Sequence, residues 1–432
     1  MSRVLAIAAI CLALVGCAAL PRVSVPPSVA DADRQLLVML RAAPPHFRPD
    51  QNYAGRYDAG AGSGTRMVGA QLARAHGLAL LDEWPMPALG VDCLVMQAPD
   101  AVAARHRLQE LSHDPRVAWA QPMHTYHSLN GNSSNGNSLN DDSSRGGDPM
   151  FAMQPVALTW HLDQLHRVAT GRGVTVAEVD SGVDVSHPDL RGRISQSRNF
   201  VDGSDAPAER HGTAVAGIIA AVAGNGMGIA GVAPRARLLA LRACWQQGGG
   251  AAVCNSFTLA KALQFALQSD PQVLNLSLGG PRDELLERLL DLAMSQGISV
   301  VGAVDPDPVN AFPARQAGVL AVTSDDADGD APVSDLRAPG RDIPTTLPGG
   351  GWGFVHGSSF AAAEVSGLVA LLRELSPRAT PAQLRAALTP TEVGLRSRRP
   401  MPVDACAAVA RVGAHCACDC GIAQAGEAAP RR

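Results

Sequence analysis

The chain is poor in charge. Only 18% of its 432 residues are charged, and the formal net charge is −4. Such a surface has no basic excess to meet a phosphate backbone, so nucleic acid is not an expected partner. No apolar run reaches the ~18 residues needed to cross a bilayer. The cluster His415-Cys416-Ala417-Cys418-Asp419-Cys420 lacks the spacing of the usual zinc patterns, so tail disulfides or free thiols are expected there. What is plentiful is hydrophobic residue, at 46%, which suits packed cores rather than disorder. The length allows two or three domains.

The first residues read as a targeting segment. Met1-Ser2-Arg3 carries a positive charge, and Val4 to Val15 is apolar. Leu14-Val15-Gly16-Cys17 resembles a bacterial lipobox, in which the cysteine becomes the lipid-bearing first residue. Residues 1–17 are therefore read as a lipoprotein signal with lipid attached at Cys17, and 18–34 as a proline-rich tether. Ala18 follows Cys17, and no aspartate stands there to resemble an inner-membrane retention signal. The expectation is an exported, membrane-anchored bacterial lipoprotein, at the outer membrane on its periplasmic side.

Residues 35–128 form a first small domain. Strand patterns at Leu36–Leu40, Leu78–Trp84, Val91–Gln97 and Val117–Gln121 alternate with helix patterns at Thr65–His76 and Ala101–Leu111. The order β-α-β-β-α-β is the ferredoxin-like split motif. Residues 129–149 follow as a flexible linker of Asn, Ser, Gly and Asp, open to cleavage.

Residues 150–395 alternate short apolar strands with helices, and 396–432 form a cysteine-containing tail. Strands are expected at Val174–Val179, Leu238–Leu241, Val273–Leu276, Ile298–Ala303 and Val319–Thr323. Helices are expected at His211–Val222, Phe257–Leu267, Asp283–Met294 and after Ser359. The fold class is thus α/β, a parallel sheet with helices on both faces. Sites in such sheets lie at the carboxyl ends of strands.

Asp180-Ser181-Gly182-Val183 ends the first of these strands, His211-Gly212-Thr213 opens a helix, and Gly357-Ser358-Ser359 opens another. A serine hydroxyl is a poor nucleophile until a base takes its proton. Histidine can take and return that proton near neutral pH. A carboxylate fixes the histidine's tautomer. The order Asp, His, Ser is one of the known chain orders of this triad.

Over roughly Trp160 to Leu388 the chain resembles the subtilisin-like serine peptidase family. The resemblance rests on Asp180-Ser-Gly-Val, Ser186-His187-Pro188-Asp189-Leu190, His211-Gly-Thr-x-Val-Ala-Gly217, Gly231-Val-Ala-Pro234, Asn275-Leu-Ser-Leu-Gly279, Phe312-Pro-Ala314, Ala338-Pro-Gly340 and Gly357-Ser-Ser-Phe-Ala361. It implies Ser359 as nucleophile, His211 as base and Asp180 as orienting acid. It places Leu278, Gly279 and Gly280 along the substrate, with Gly302 beside an open, mainly apolar pocket. It makes the first domain an inhibitory propeptide. His187 and Ser358 are decoys, the first structural and the second standing where the family usually has threonine. Ala363 and Glu364 replace the family's proline and histidine. Asp305 stands where the family's oxyanion asparagine is expected. Family members often bind calcium through loops, yet no calcium loop is identifiable here, and no other cofactor is implied.

Of nine cysteines, Cys11 leaves with the signal and Cys17 carries lipid. Cys93 is expected to be a buried free thiol, and Cys244 to pair with Cys254 across a Gly-rich loop. The function read from these residues is a serine endopeptidase made as an exported zymogen. Its partners are peptide or protein substrate, its own propeptide and a membrane reached through Cys17, with release of the catalytic domain after processing. Asp305 keeps a second reading in view, a weakly active or inactive relative that binds peptides or acts as a scaffold.

Overall fold

The computed structural model describes residues 29–41, 62–130, 147–247, 251–325, 336–389, 401–413 and Cys418. Cys17, with the expected signal, and the greater part of the expected linker lie outside the described residues.

The small domain contains β1 (Gln35–Arg41), α1 (Gly62–Ala75), β2 (Ala79–Met86), β3 (Val91–Gln97), α2 (Ala101–Leu111) and β4 (Val117–Pro122). Its antiparallel sheet has the order β2-β3-β1-β4, the split motif expected from the sequence. Alternation along β1 decides what each side chain meets. Leu36, Val38 and Leu40 pack with Leu72, Leu94 and Leu111 in the domain's own core. Leu37 and Met39 point the other way, into a core shared with the large domain. Burying each such side chain stabilises the structure by about 1.5–3 kcal/mol. A final short strand, β5 (Thr125–Ser128), leaves this domain altogether.

The large domain begins with two short helices, α3 (Pro155–Thr159) and α4 (Leu162–Leu165). Then come β6 (Thr175–Asp180), β7 (Ile194–Asn199), α5 (Arg210–Ala220), β8 (Arg237–Arg242), β9 (Cys244–Gln246), β10 (Ala252–Asn255) and α6 (Ser256–Gln268). Next are β11 (Val273–Leu276), β12 (Leu278–Gly279), α7 (Glu284–Ser295), β13 (Ser299–Ala303), β14 (Leu320–Ser324) and β15 (Leu336–Ala338). The chain continues through a hairpin of β16 (Ile343–Leu347) and β17 (Gly351–Val355), then α8 (Ser358–Leu375), α9 (Pro381–Leu388), β18 (Met401–Pro402) and α10 (Ala405–Gly413).

Eight strands form one sheet in the order β18-β15-β14-β13-β11-β6-β8-β7. Every pairing in it is parallel. Val176, Leu238, Val273 and Val301 face one core with α5 and α8. Ala177, Leu239, Leu274 and Val300 face the other with α6 and α7. Helices thus cover both faces, as the sequence predicts.

The core reaches beyond residue 395. Val403, Ala405, Ala408 and Val409 join the α8 side, so a stretch expected as tail adds an edge strand and a packed helix. The Cys406–Cys418 disulfide, with Cα atoms 5.8 Å apart, lies at this end. Cys244 and Cys254 are bonded across β9 and β10, and Cys93 is a buried free thiol.

The small domain's sheet lies on α6 and α7. Lys261 sits over the Trp84 ring and Arg288 over the Trp119 ring, at 5.4 and 4.3 Å. His124 O accepts the Ser256 N–H at 3.0 Å, and Gln121 Oε1 accepts the Leu285 N–H at 3.0 Å. Each bond fills an orphan donor at a helix start. This docking directs β5 into the large domain, where it lies between β12 and β10.

Candidate active site

β6 ends at Asp180, and α5 presents His211 from its first turn. Asp180 Oδ1 lies 2.6 Å from His211 Nδ1, and both residues are buried. Ser181 N–H donates to the same carboxylate oxygen at 2.6 Å, and Gly212 N–H donates to Ser181 Oγ at 3.0 Å. Gly212 must be glycine, because a Cβ there would come within 2.4 Å of Ser181 O.

A buried ion pair supports this junction from behind. Arg242, at the end of β8, donates to both oxygens of Glu209, at 3.0 and 3.1 Å. Glu209 also accepts Gly182 N–H at 2.6 Å and Gln246 N–H at 2.9 Å. One carboxylate thereby ties the Asp180 turn to the start of the His211 helix.

Ser359 lies in the first turn of α8 and is fully buried. Gly357 precedes the helix with φ 131°, a conformation that favours glycine. The Phe360 ring lies 5.3 Å from the His211 ring. Ser359 Oγ does not meet His211. It donates to Ser277 O at 2.8 Å and accepts Leu129 N–H at 2.9 Å. His211 Nε2 is buried with no hydrogen-bond partner.

Leu129 was expected to open the linker and instead occupies the site. Its carbonyl oxygen accepts the Ser359 N–H at 3.4 Å. β5 leads into it, with Ser128 opposite Leu278, His127 opposite both Gly279 and Val253, and Tyr126 opposite Cys254. Leu278, Gly279 and Gly280 therefore border the bound segment. Gly302 does not touch it in the same way: the nearest atoms to its missing side chain belong to Val319, Pro313 and Ala314.

The two decoys have other work. His187 Nε2 donates to Gly351 O at 2.9 Å, while its Nδ1 accepts Asp189 N–H at 3.1 Å. Ser358 Oγ accepts Ser324 N–H at 3.4 Å.

Asp305 is half-buried beside Gly279, where a built Cβ would lie 3.2 Å from its Oδ2. Its Oδ1 accepts Asp307 N–H at 2.8 Å. Burial, with help from the Asp307 charge, holds its pKa above the ordinary carboxyl value despite that bond and nearby His127.

Two further carboxyls were not anticipated as part of the core. Glu178 stands two residues before Asp180 on the same face of β6, fully buried, with neither oxygen hydrogen-bonded. Burial, followed by the Asp180 charge, pushes it well above the usual range. A glutamate inside the apolar run of a central strand was the available signal. Glu364 is also buried, with Oε2 unpartnered, and burial raises it likewise.

Among the described residues no group of three or more His, Cys, Asp and Glu side chains could hold a metal ion. Asp189 already accepts Trp352 Nε1–H, Asn225 Nδ2–H and Ile229 N–H. Asp148 accepts the N–H groups of Gly224, Asn225 and Gly226.

A family model described as Subtilase family matches residues 171–400. The chain is 36% identical to a subtilisin of Bacillus pumilus, over 53% of this chain and 86% of that protein. It is 36% identical to subtilisin E of Bacillus subtilis (strain 168), over 51% of this chain and 61% of that protein. Among solved structures, fervidolysin from Fervidobacterium pennivorans, a keratinolytic enzyme related to subtilisin, superposes with a TM-score of 0.64. That match has 22% identity and covers 87% of this chain and 60% of the other, so it speaks to the fold alone.

Proposed function

The chain belongs to the subtilase family of serine endopeptidases, and from that premise we propose that it is made as a self-inhibited zymogen that cuts its own Leu129–Asn130 bond. The observation that carries this reading is the seating of Leu129, with its N–H on Ser359 Oγ and its carbonyl oxygen on the Ser359 N–H. A peptide held as a strand, with a carbonyl at a buried serine, is a substrate or product pose.

In the proposed reaction Ser359 Oγ turns toward His211 Nε2, gives up its proton there and attacks the Leu129 carbonyl carbon. His211 Nδ1–H stays on Asp180, which stabilises the imidazolium. The oxygen that becomes negative is met by the Ser359 N–H and by Asp305 in its protonated form. His211 then protonates the departing amine of Asn130, and water hydrolyses the acyl-enzyme. Afterwards the bound segment keeps Ser359 Oγ engaged, so the first domain acts as inhibitor until it leaves.

Cys17 precedes the cut and Ser359 follows it. Processing therefore leaves the lipid on the inhibitory fragment and frees the catalytic one from its membrane anchor. A fluorophosphonate probe tests the nucleophile. Wild type and Ser358→Ala should label and Ser359→Ala should not; labelling of Ser359→Ala, or none in any protein after processing, rejects the assignment.

A further inference from the structure

The bound segment rests on a strand with little support of its own. Thr125, Tyr126 and His127 pair with Asn255, Cys254 and Val253 of β10. β10 has four residues, and its other neighbour in that sheet is β9, with three. Once the segment leaves, β10 is an edge strand backed by one short partner. A lone pair of strands is marginal in water.

β9 is tied to the catalytic frame. Ala243, just before it, donates its N–H to Asp180 O at 2.8 Å. Gln246 N–H donates to Glu209 Oε1 at 2.9 Å, and Gln246 Oε1 accepts the N–H of Arg210, next to His211, at 3.0 Å. β10 is anchored at its far end, where Asn255 caps α6. At its near end the Ala252 N–H goes to Ser128 Oγ of the bound segment itself, at 3.1 Å. The covalent tie between the two strands is the Cys244–Cys254 bond. It joins residues directly opposite in the register, ten apart in sequence, with Cα atoms 4.2 Å apart. Both cysteines are buried, and Cys254 is the residue opposite Tyr126.

We infer that this bond positions β10 for extended substrates, so that cleavage of long peptides depends on its oxidation, whereas a substrate filling only the place of Leu129 does not need it. The inference rests on the endopeptidase reading above and adds a regulation to it. With both thiols free, β9 stays on the triad frame and β10 can open. Only the closed fraction of β10 then accepts a strand, which raises KM and spares kcat. Forming the bond takes one hydrogen from each thiol. Both, with their two electrons, pass to a disulfide oxidant, which is left as a dithiol. Such bonds persist outside the reducing cytosol. The chain thus gains its grip on long peptides only where that oxidation occurs.

The test compares processed wild type with Cys244→Ser/Cys254→Ser on two thiobenzyl esters. Acetyl-leucine fills only the position at Ser359, and acetyl-Thr-Tyr-His-Ser-Leu also lies along β10. The fluorophosphonate probe counts active enzyme. The kcat/KM of the long ester, divided by that of the short one, should fall about tenfold in the variant, through KM. Wild type prepared under a dithiol, with its free thiols verified by alkylating and weighing a denatured aliquot, should show the same fall. Cys406→Ser/Cys418→Ser, which lacks the other disulfide, should keep the wild-type ratio. An unchanged ratio in the first variant or in the reduced wild type overturns the inference. Equal losses on both esters overturn it too, as does a variant that no longer labels while wild type does, because the bond then upholds the triad and not the strand. A wild type that neither labels nor cuts overturns the endopeptidase reading itself.

Discussion

Replacing Asp305 with asparagine should raise turnover at neutral and alkaline pH and change it little in acid. Asp305 Oδ1 holds the Asp307 N–H at 2.8 Å. An asparagine can keep its oxygen on that bond and place Nδ2 where Oδ2 now lies beside Gly279. The wild-type carboxyl donates only while protonated, and burial keeps its pKa above the ordinary value. The sign follows: below that raised pKa the group can donate, and above it an anion faces the developing oxyanion. Each pH unit above the pKa removes about tenfold of the protonated form, down to the ceiling set by losing one donor, about 10²–10³ in turnover. On the acid side the two proteins should behave alike. The assay is a pH–rate profile of both on one peptide. Wild type should show an optimum displaced toward acid, and Asp305→Asn a plateau extending to higher pH. Lower turnover across the range, or superimposable profiles, refutes the oxyanion role of Asp305.

Glu178→Gln should remove a pH dependence of stability. Glu178 has a folded pKa far above its unfolded value of about 4.5, so the fold binds the extra proton and wild-type stability falls as pH rises above that value. The variant's melting temperature should exceed wild type's at about pH 8 and converge with it near about pH 4; parallel curves contradict this. Cys244→Ser with Cys254→Ser should cost about 2–4 kcal/mol. Because the bond braces β10 against the bound segment, KM should also rise, as thermal melts and steady-state kinetics would show. Arg242→Met should destabilise by about 3–5 kcal/mol by leaving Glu209 buried without its cation, as urea melts would show. Adding Glu209→Leu should not restore the loss, because the Gly182 and Gln246 N–H groups then lose their acceptor; full recovery would show that Glu209 serves charge pairing alone.

Much of the fold was legible because strong periodicity coincides with burial. β11 and α2 occupy the residues their patterns mark, Val273–Leu276 and Ala101–Leu111. The Asp180–His211 contact was legible as well, because both motifs end or begin an element at the same end of the sheet. β5 was not. Thr125–Ser128 has no apolar period of its own and becomes a strand only by entering between β10 and β12. Leu129 was hidden for the same reason, as one apolar residue at the head of a polar linker. Residues 401–413 form two short elements; the helix is Ala-rich and capped by Asp404, but its place against α8 and α9 rests on contacts far along the chain that the local pattern does not report. Glu178 reads as the polar position of an alternating strand, yet both faces of that strand are covered.

Self-cleavage after Leu129 is the step on which the proposed zymogen depends most. Full-length wild type and Ser359→Ala, expressed and incubated in parallel, should be compared by intact mass and N-terminal sequencing. Wild type should yield a new amino terminus at Asn130, with the fragment ending at Leu129 retaining the lipid, and Ser359→Ala should remain whole. The same Asn130 terminus in Ser359→Ala, or a mature wild-type chain still continuous from Cys17 through Ser359, would contradict it.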